Sequence, residues 1–245
     1  MAKDRFSAQS AVYARYRPDY PAALYEWLIA LVAERQSAWD VGTGNGQVAI
    51  VLAKHFEKVY ASDISERQLQ HAIASPNIVY SVGPADQAPQ ADGPFNLICA
   101  GQAAHWFPLN EFYAEVRRVA APGAILALWG YGLLQINPEA DRIIRHFYTQ
   151  VVGPYWDAER RHIDNSYNSL LFPFERLPSP DFAIKKQYTL TDLKGYFQTW
   201  SSLQLYLKAN NTDPVPTLMQ QLARVLPAED EFEVVFPVFL LAAKV

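Results

Sequence analysis

A single cysteine, Cys99, occurs in 245 residues, so the chain cannot close a disulfide on itself and holds no paired-cysteine zinc site. Charge is also scarce, at 19% against the usual quarter. Lys and Arg number 21 against 25 Asp and Glu, giving a net charge of −4, and no basic run forms a stripe that would track phosphates. Nucleic acid is therefore not an expected partner. The amino end, MAKDRFSAQS, lacks an apolar core, so no secretory signal is expected there. The longest uncharged stretch, 119–138, is interrupted by Pro122-Gly123, Gly130, Gly132 and Gln135-Ile136-Asn137, which fits a buried strand and loop better than a membrane span. Gly-Lys-Ser/Thr, G-x-S-x-G and H-E-x-x-H are all missing. His55, His71, His146 and His162 have no ligand spacing, so no metal is expected. A cytoplasmic α/β protein is the expectation these absences leave.

Half of the residues are hydrophobic and 13% are aromatic, enough for a large core. Pro21 suits a first helical position, and Leu24, Leu28, Leu31 and Val32 follow at helical spacing. From 36 to 131, short apolar runs alternate with helical patterns. Strands are expected at Ala38–Val41, Val59–Ser62, Ile78–Val82, Phe95–Ala100 and Ala124–Trp129. Helices are expected after Gly46, from Ser65 to about Ala74, where Ser65 and Gln68 form a capping box, and at Leu109–Val119. That alternation implies a doubly wound parallel sheet. Further on, helices are expected at Pro138–Val152, Leu193–Leu207 and Pro216–Leu226, and strands at Ile184–Leu190 and Phe232–Ala243. Pro237 inside the last strand suggests a bulge or an edge position. No linker divides the chain. The expectation is one domain over 1–245, with a lid and helix at 1–35, a cofactor-binding core at 36–131, and a substrate-side insertion with the last strands at 132–245.

The densest signal is Trp39-Asp-Val-Gly-Thr-Gly-Asn-Gly-Gln47. Glycines at 42, 44 and 46 let the backbone turn sharply beneath a ligand, and the next helix starts with its N–H groups facing it. A dinucleotide fingerprint would need glycine at 47, where Gln stands. A nicotinamide-dependent reductase would also show Tyr-x-x-x-Lys, which occurs nowhere in the chain. The acid two residues before the first glycine, Asp40, would repel a pyrophosphate and favour a cationic ligand. Asp63 ends the second strand, where a carboxylate can take both ribose hydroxyls.

With Asp40-Val-Gly-Thr-Gly-Asn-Gly46, Asp63, Ala85-Asp86 and Gln102-Ala-Ala-His-Trp-Phe107, the chain resembles the class I S-adenosylmethionine-dependent methyltransferases. YARYRPDYP (13–21) and QAAHWF (102–107) are similar to the small-molecule branch typified by trans-aconitate methyltransferase. The resemblance is good over about residues 11–131 and looser beyond, where YFQTWSSLQLY (196–206) is similar. It implies a Rossmann-like sheet of seven strands, mostly parallel with an antiparallel last strand. It implies that Gly42, Thr43, Gly44 and Gly46 shape the turn under the methionine part of S-adenosylmethionine, and that Asp40 holds its amino end. By the same resemblance Asp63, next to Ile64, takes the ribose, Ala85 and Asp86 meet the adenine, and Gln102 lies beside the sulfonium. The branch often has Asp where Pro108 stands and Pro-Gly-Gly where Pro122-Gly123-Ala124 stands.

Doubly wound sheets bind ligands beyond the carboxyl ends of their strands. Trp129 and Tyr131 would face an acceptor there, with Tyr13, Arg15, Tyr16 and Arg17 folding over as a lid. Arg15 or Arg17 could clamp an acceptor carboxylate, and Arg17 could equally touch the cofactor or be a solvated turn. Trp106 reads as a wall of the cofactor site or as plain core. His105 is the candidate general base for a hydroxyl acceptor, or else a cap or a backbone hydrogen-bond partner. Cys99 reads as a small buried hydrophobe, and Glu159-Arg-Arg-His162 as a solvated helical face. The expected activity is O-methylation of a carboxylate or hydroxyl on a small molecule, with S-adenosylhomocysteine as product. The alternatives are a cofactor-binding protein without transfer activity and, behind it, an NAD(P)-dependent reductase.

Overall fold

A computed structural model describes Tyr16 and residues 18–90, 93–227 and 230–245. Seven strands form one sheet: β1 (Ser37–Val41), β2 (Lys58–Asp63), β3 (Ile78–Val82), β4 (Phe95–Gly101), β5 (Ala120–Tyr131), β6 (Phe182–Tyr188) and β7 (Phe232–Lys244). Their order is β3-β2-β1-β4-β5-β7-β6. The first five strands pair in parallel, and β7 runs antiparallel to both its neighbours. This is the doubly wound, Rossmann-like α/β architecture, with chain order reversing between β1 and β4. That reversal opens a crevice at the carboxyl edge of the sheet.

Helices α1 (Ala22–Leu31), α2 (Gln47–Leu52) and α3 (Glu66–Leu69) belong to the amino-terminal half. Then come α4 (Leu109–Val119), α5 (Pro138–His146), α6 (Arg160–Asp164), α7 (Leu190–Gln198), α8 (Ser201–Asn210) and α9 (Val215–Leu222). Strands β1 and β4 are almost wholly buried, as expected of a sheet covered on both faces. Side chains alternate between two cores. Ala38, Val59 and Ala61 pack with Leu24, Leu28 and Leu52, whereas Trp39, Tyr60 and Ile98 pack with Phe112 and Val116 of α4. Burying each such large side chain contributes about 1.5–3 kcal/mol. A third core, around Phe147, Trp200 and Phe236, covers the β7–β6 end.

Several elements differ in extent from the sequence reading. The capping box at Ser65 forms, but α3 stops at Leu69. Ile73 is drawn to the glycine turn instead, its N–H donating to Asn45 O and its carbonyl accepting from Tyr80 Oη. Ser75 also precedes Pro76, which disfavours helical backbone. The helix expected over 193–207 is two, broken at Thr199-Trp200, and α7 starts at Leu190 on a capping box of Thr189 and Asp192. The helix expected over 138–152 ends at His146 and continues as a π turn, Phe147–Val151. Pro237 occupies neither an edge nor a bulge, because β7 lies between β5 and β6 in unbroken register. Its carbonyl accepts from Gly132 N, so its nitrogen faces the same side, just past the end of β5. The missing donor falls where no ladder partner is needed.

Candidate active site

The glycine turn between β1 and α2 folds with Gly42, Gly44 and Gly46 at φ of 69°, 57° and 83°, a region that L side chains rarely adopt. A Cβ on Gly42 would lie 2.7 Å from Ala103 Cβ, and one on Gly46 would strike the Tyr80 hydroxyl. The turn is thus wedged between the loop after β4 and a ring from β3. Gly42 N and Thr43 N both donate to Ser62 O, at 2.8 and 3.0 Å, tying the turn to β2.

Two carboxylates flank it. Asp40 is 1% exposed and accepts from Thr43 Oγ1 at 2.5 Å. Burial pushes its carboxyl up to about 7, opposed by the Thr43 hydrogen bond and by a backbone donor at Ala49. Asp63 accepts from Gly44 N and Ser65 N, both at 2.8 Å, one on each oxygen. Those two donors fix the carboxylate at the edge of the crevice.

These groups line one cavity of about 660 Å³, within the range of about 300–1,000 Å³ typical of ligand pockets. The loop after β3 adds Ala85 and Asp86 to its wall, and the loop after β4 adds Gln102, Trp106 and Phe107. Gln102 sits at φ 57°, and its side-chain amide clasps the Tyr131 backbone, accepting from Tyr131 N at 2.8 Å and donating to Tyr131 O at 3.3 Å. That clasp joins the ends of β4 and β5 under the cavity. Tyr20, Tyr131, Trp156 and Arg160 line the same cavity. Among the described lining residues five are acids (Asp40, Asp63, Asp86, Asp157 and Glu159) and one is a cation, Arg160. The field in such a cleft favours a positively charged ligand.

The family profile described as a methyltransferase domain matches residues 39–128, the stretch from the glycine turn through β5. A Dictyostelium discoideum protein that carries a methyltransferase name is 31% identical over 98% of this chain and 95% of its own length. A solved structure from Anaeromyxobacter dehalogenans, described as a type II methyltransferase, is 35% identical, with a TM-score of 0.86 over 94% of this chain and 98% of that one. The chain belongs to the class I S-adenosylmethionine-dependent methyltransferases. A Schizosaccharomyces pombe methyltransferase, named as uncharacterized, aligns over 97% of this chain at 26% identity.

In this methyltransferase Asp40, Gly42, Thr43, Gly44, Asp63, Ile64, Ala85, Asp86, Gln102, Trp106 and Tyr131 all line the cavity. Gly46 lies just behind it, against Tyr80. Tyr13, Arg15 and Arg17 lie outside the described residues. Tyr16 does not reach the cavity; its ring rests on Gly195 of α7, and its carbonyl accepts from Tyr188 Oη at 3.0 Å. Trp129 is fully buried behind Tyr20 and Tyr25, with ring centroids 5.7 and 6.4 Å away. His105 is also turned away. It is 9% exposed, lies outside the lining, and its Nδ1 shares a hydrogen bond with the buried Tyr167 hydroxyl at 3.1 Å. Burial, and then the nearby Arg160 charge, lower its value to about 3, so the ring stays neutral and poorly basic.

The segment read as a solvated helical face is the largest correction. Arg160 has a side chain only 17% exposed, and its guanidinium lies 4.6 Å from the Trp156 ring centroid. Its Nε donates to Tyr148 Oη at 2.8 Å, and Tyr148 donates in turn to Asp164. No local signal marks Trp156 or Arg160 as a site residue: Trp156 follows a short turn, Arg160 opens α6, and only folding brings both to the cavity. Among the described residues no helix is long and apolar enough to cross a membrane.

Proposed function

We propose that this methyltransferase binds S-adenosylmethionine along the turn, Asp63 and Asp86, and methylates an oxygen of a small molecule held against the aromatic wall. The observation that carries this reading is the continuity of the cavity: Asp40, Asp63, Asp86 and the glycine turn line the same space as Tyr131, Trp156 and Arg160. When bound, S-adenosylmethionine supplies an activated methyl group: the acceptor oxygen's lone pair forms the new bond to carbon as the carbon–sulfur bond breaks, and sulfur keeps the electron pair. Asp40 would hold the cofactor's ammonium, and Asp63 the ribose hydroxyls. Gln102 would brace the strand ends beneath the reacting centre, and the rings would exclude water and fix the in-line approach. A carboxylate acceptor needs no base. A hydroxyl acceptor would, and His105 is not placed to serve, so the carboxylate is the acceptor we favour.

The test is transfer from methyl-labelled S-adenosylmethionine onto a panel of small carboxylic acids, alcohols and phenols, read by mass spectrometry. Label appearing on an acid or alcohol supports the reading. Cofactor binding with no labelled product from any acceptor would leave a binding protein without transfer activity.

A further inference from the structure

Arg160 is the one cation among the described residues of the cavity wall, and it is built into place. Its Nε is fixed by Tyr148 Oη, and Tyr148 is held by Asp164, whose carboxylate lies 3.6 Å from the same Nε. The guanidinium carbon lies over Trp156, 4.6 Å from its ring centroid, and 5.5 Å from the Tyr148 ring centroid. Tyr148 and Trp156 pack in turn on Trp200. The two terminal amino groups of the guanidinium make no hydrogen bond to the described residues. An arginine that lines a cavity, with its Nε immobilised and its two terminal amino groups without a hydrogen-bond partner among the described residues, can pair with two oxygens at once.

We propose that Arg160 is the anchor for a carboxylate carried by the methyl acceptor, at an oxygen pair distinct from the atom that is methylated. Pairing with a guanidinium withdraws electron density from an oxygen, so the clamped group is the handle and not the nucleophile. Trp156 and Tyr131 flank the cavity beside it and would cover an apolar or aromatic body joining the two ends. Of the neighbouring acids, Asp157 is engaged within the protein and Asp164 is spent on Nε and on the Tyr148 hydroxyl. The proposal rests on the methyltransferase reading of the same cavity.

The experiment titrates 3-phenylpropanoate, 3-phenylpropanamide and 3-phenylpropylamine into protein saturated with S-adenosylhomocysteine, followed by calorimetry. The acid is expected to bind at least about tenfold more tightly than the amide, as befits a charged hydrogen-bond pair. Arg160→Gln should abolish that difference while S-adenosylhomocysteine still binds normally, which also reports that the variant is folded. Arg160→Lys should retain part of it, and Arg161→Gln, on the exposed side of the same turn, all of it. The proposal is overturned if acid and amide bind alike or neither binds, if the amine binds best, or if Arg160→Gln keeps the preference. It also falls if Arg160→Gln loses S-adenosylhomocysteine, because the fork would then hold the cofactor's own carboxylate. Failure of the wild-type protein to bind S-adenosylhomocysteine would instead sink the methyltransferase reading.

Discussion

Asp40 is where burial and the proposed role pull in opposite directions. Its folded value, about 7, stands above the ordinary 3.8 because the carboxylate has lost water. The folded protein therefore holds a proton more tightly than the unfolded chain between about pH 4 and 7. The stability this group contributes is present at low pH and lost as pH rises through 7. A cofactor ammonium beside it reverses the preference and favours the carboxylate. Affinity for S-adenosylhomocysteine should accordingly fall as pH drops from 8 to 6, with proton release on binding in that window. Calorimetry in buffers of different ionisation enthalpy measures this directly. Asp40→Asn should weaken binding and flatten the profile; an unchanged profile would remove Asp40 from the cofactor site.

His105 makes the converse case. The residue type and the position after β4 suggest a base, yet its ring is committed to Tyr167. His105→Ala should cost about 1–3 kcal/mol of stability by removing a side-chain hydrogen-bond partner of the buried Tyr167 hydroxyl, read by chemical denaturation. S-adenosylhomocysteine affinity should stay within about twofold, since the ring lies outside the cavity lining. A normal melting curve with lost turnover would restore the catalytic role.

At the scale of elements, the turn between β1 and α2 is the most constrained part of the site. Gly42→Ala places a side chain at φ 69°, which costs about 1–2 kcal/mol from the backbone alone. The new Cβ also meets Ala103 at 2.7 Å, so the loop carrying Gln102 must shift. The expected outcome is a lower melting temperature together with weakened S-adenosylhomocysteine binding. A stable variant with full affinity would show that the two loops do not depend on one another. Most of this was legible in the chain, because three spaced glycines with acids at 40 and 63 admit few backbone paths. Element lengths were less legible. α3 stops early because Tyr80 and Asn45 hold Ile73, and α7 and α8 separate at Trp200, which the third core buries. Those contacts join residues distant in sequence, so local periodicity cannot register them.

For the whole molecule, binding energy adds to folding energy. A ligand at 100 times its dissociation constant that binds only the folded chain contributes about 2.7 kcal/mol. For a chain of this size that corresponds to a rise of about 5–10 °C in melting temperature. S-adenosylhomocysteine should produce this shift by differential scanning fluorimetry, and NADH should not. The reverse result would return the chain to the reductases.

The alternation of apolar runs and helices over residues 36–131 carried the parallel sheet in the sequence itself, because a buried strand and an amphipathic helix each have a period that near neighbours alone can display. The acids and glycines proposed to hold the cofactor were readable for the same reason: their spacing is local. The wall proposed to face the acceptor was not. Tyr20, Tyr131 and the pair Trp156 and Arg160 come from three separate segments and share one cavity only once the chain is folded. Whether an arginine faces water or a cavity depends on what folds over it. For Arg160 that is Tyr148 and Trp156, and only the tertiary structure decided it.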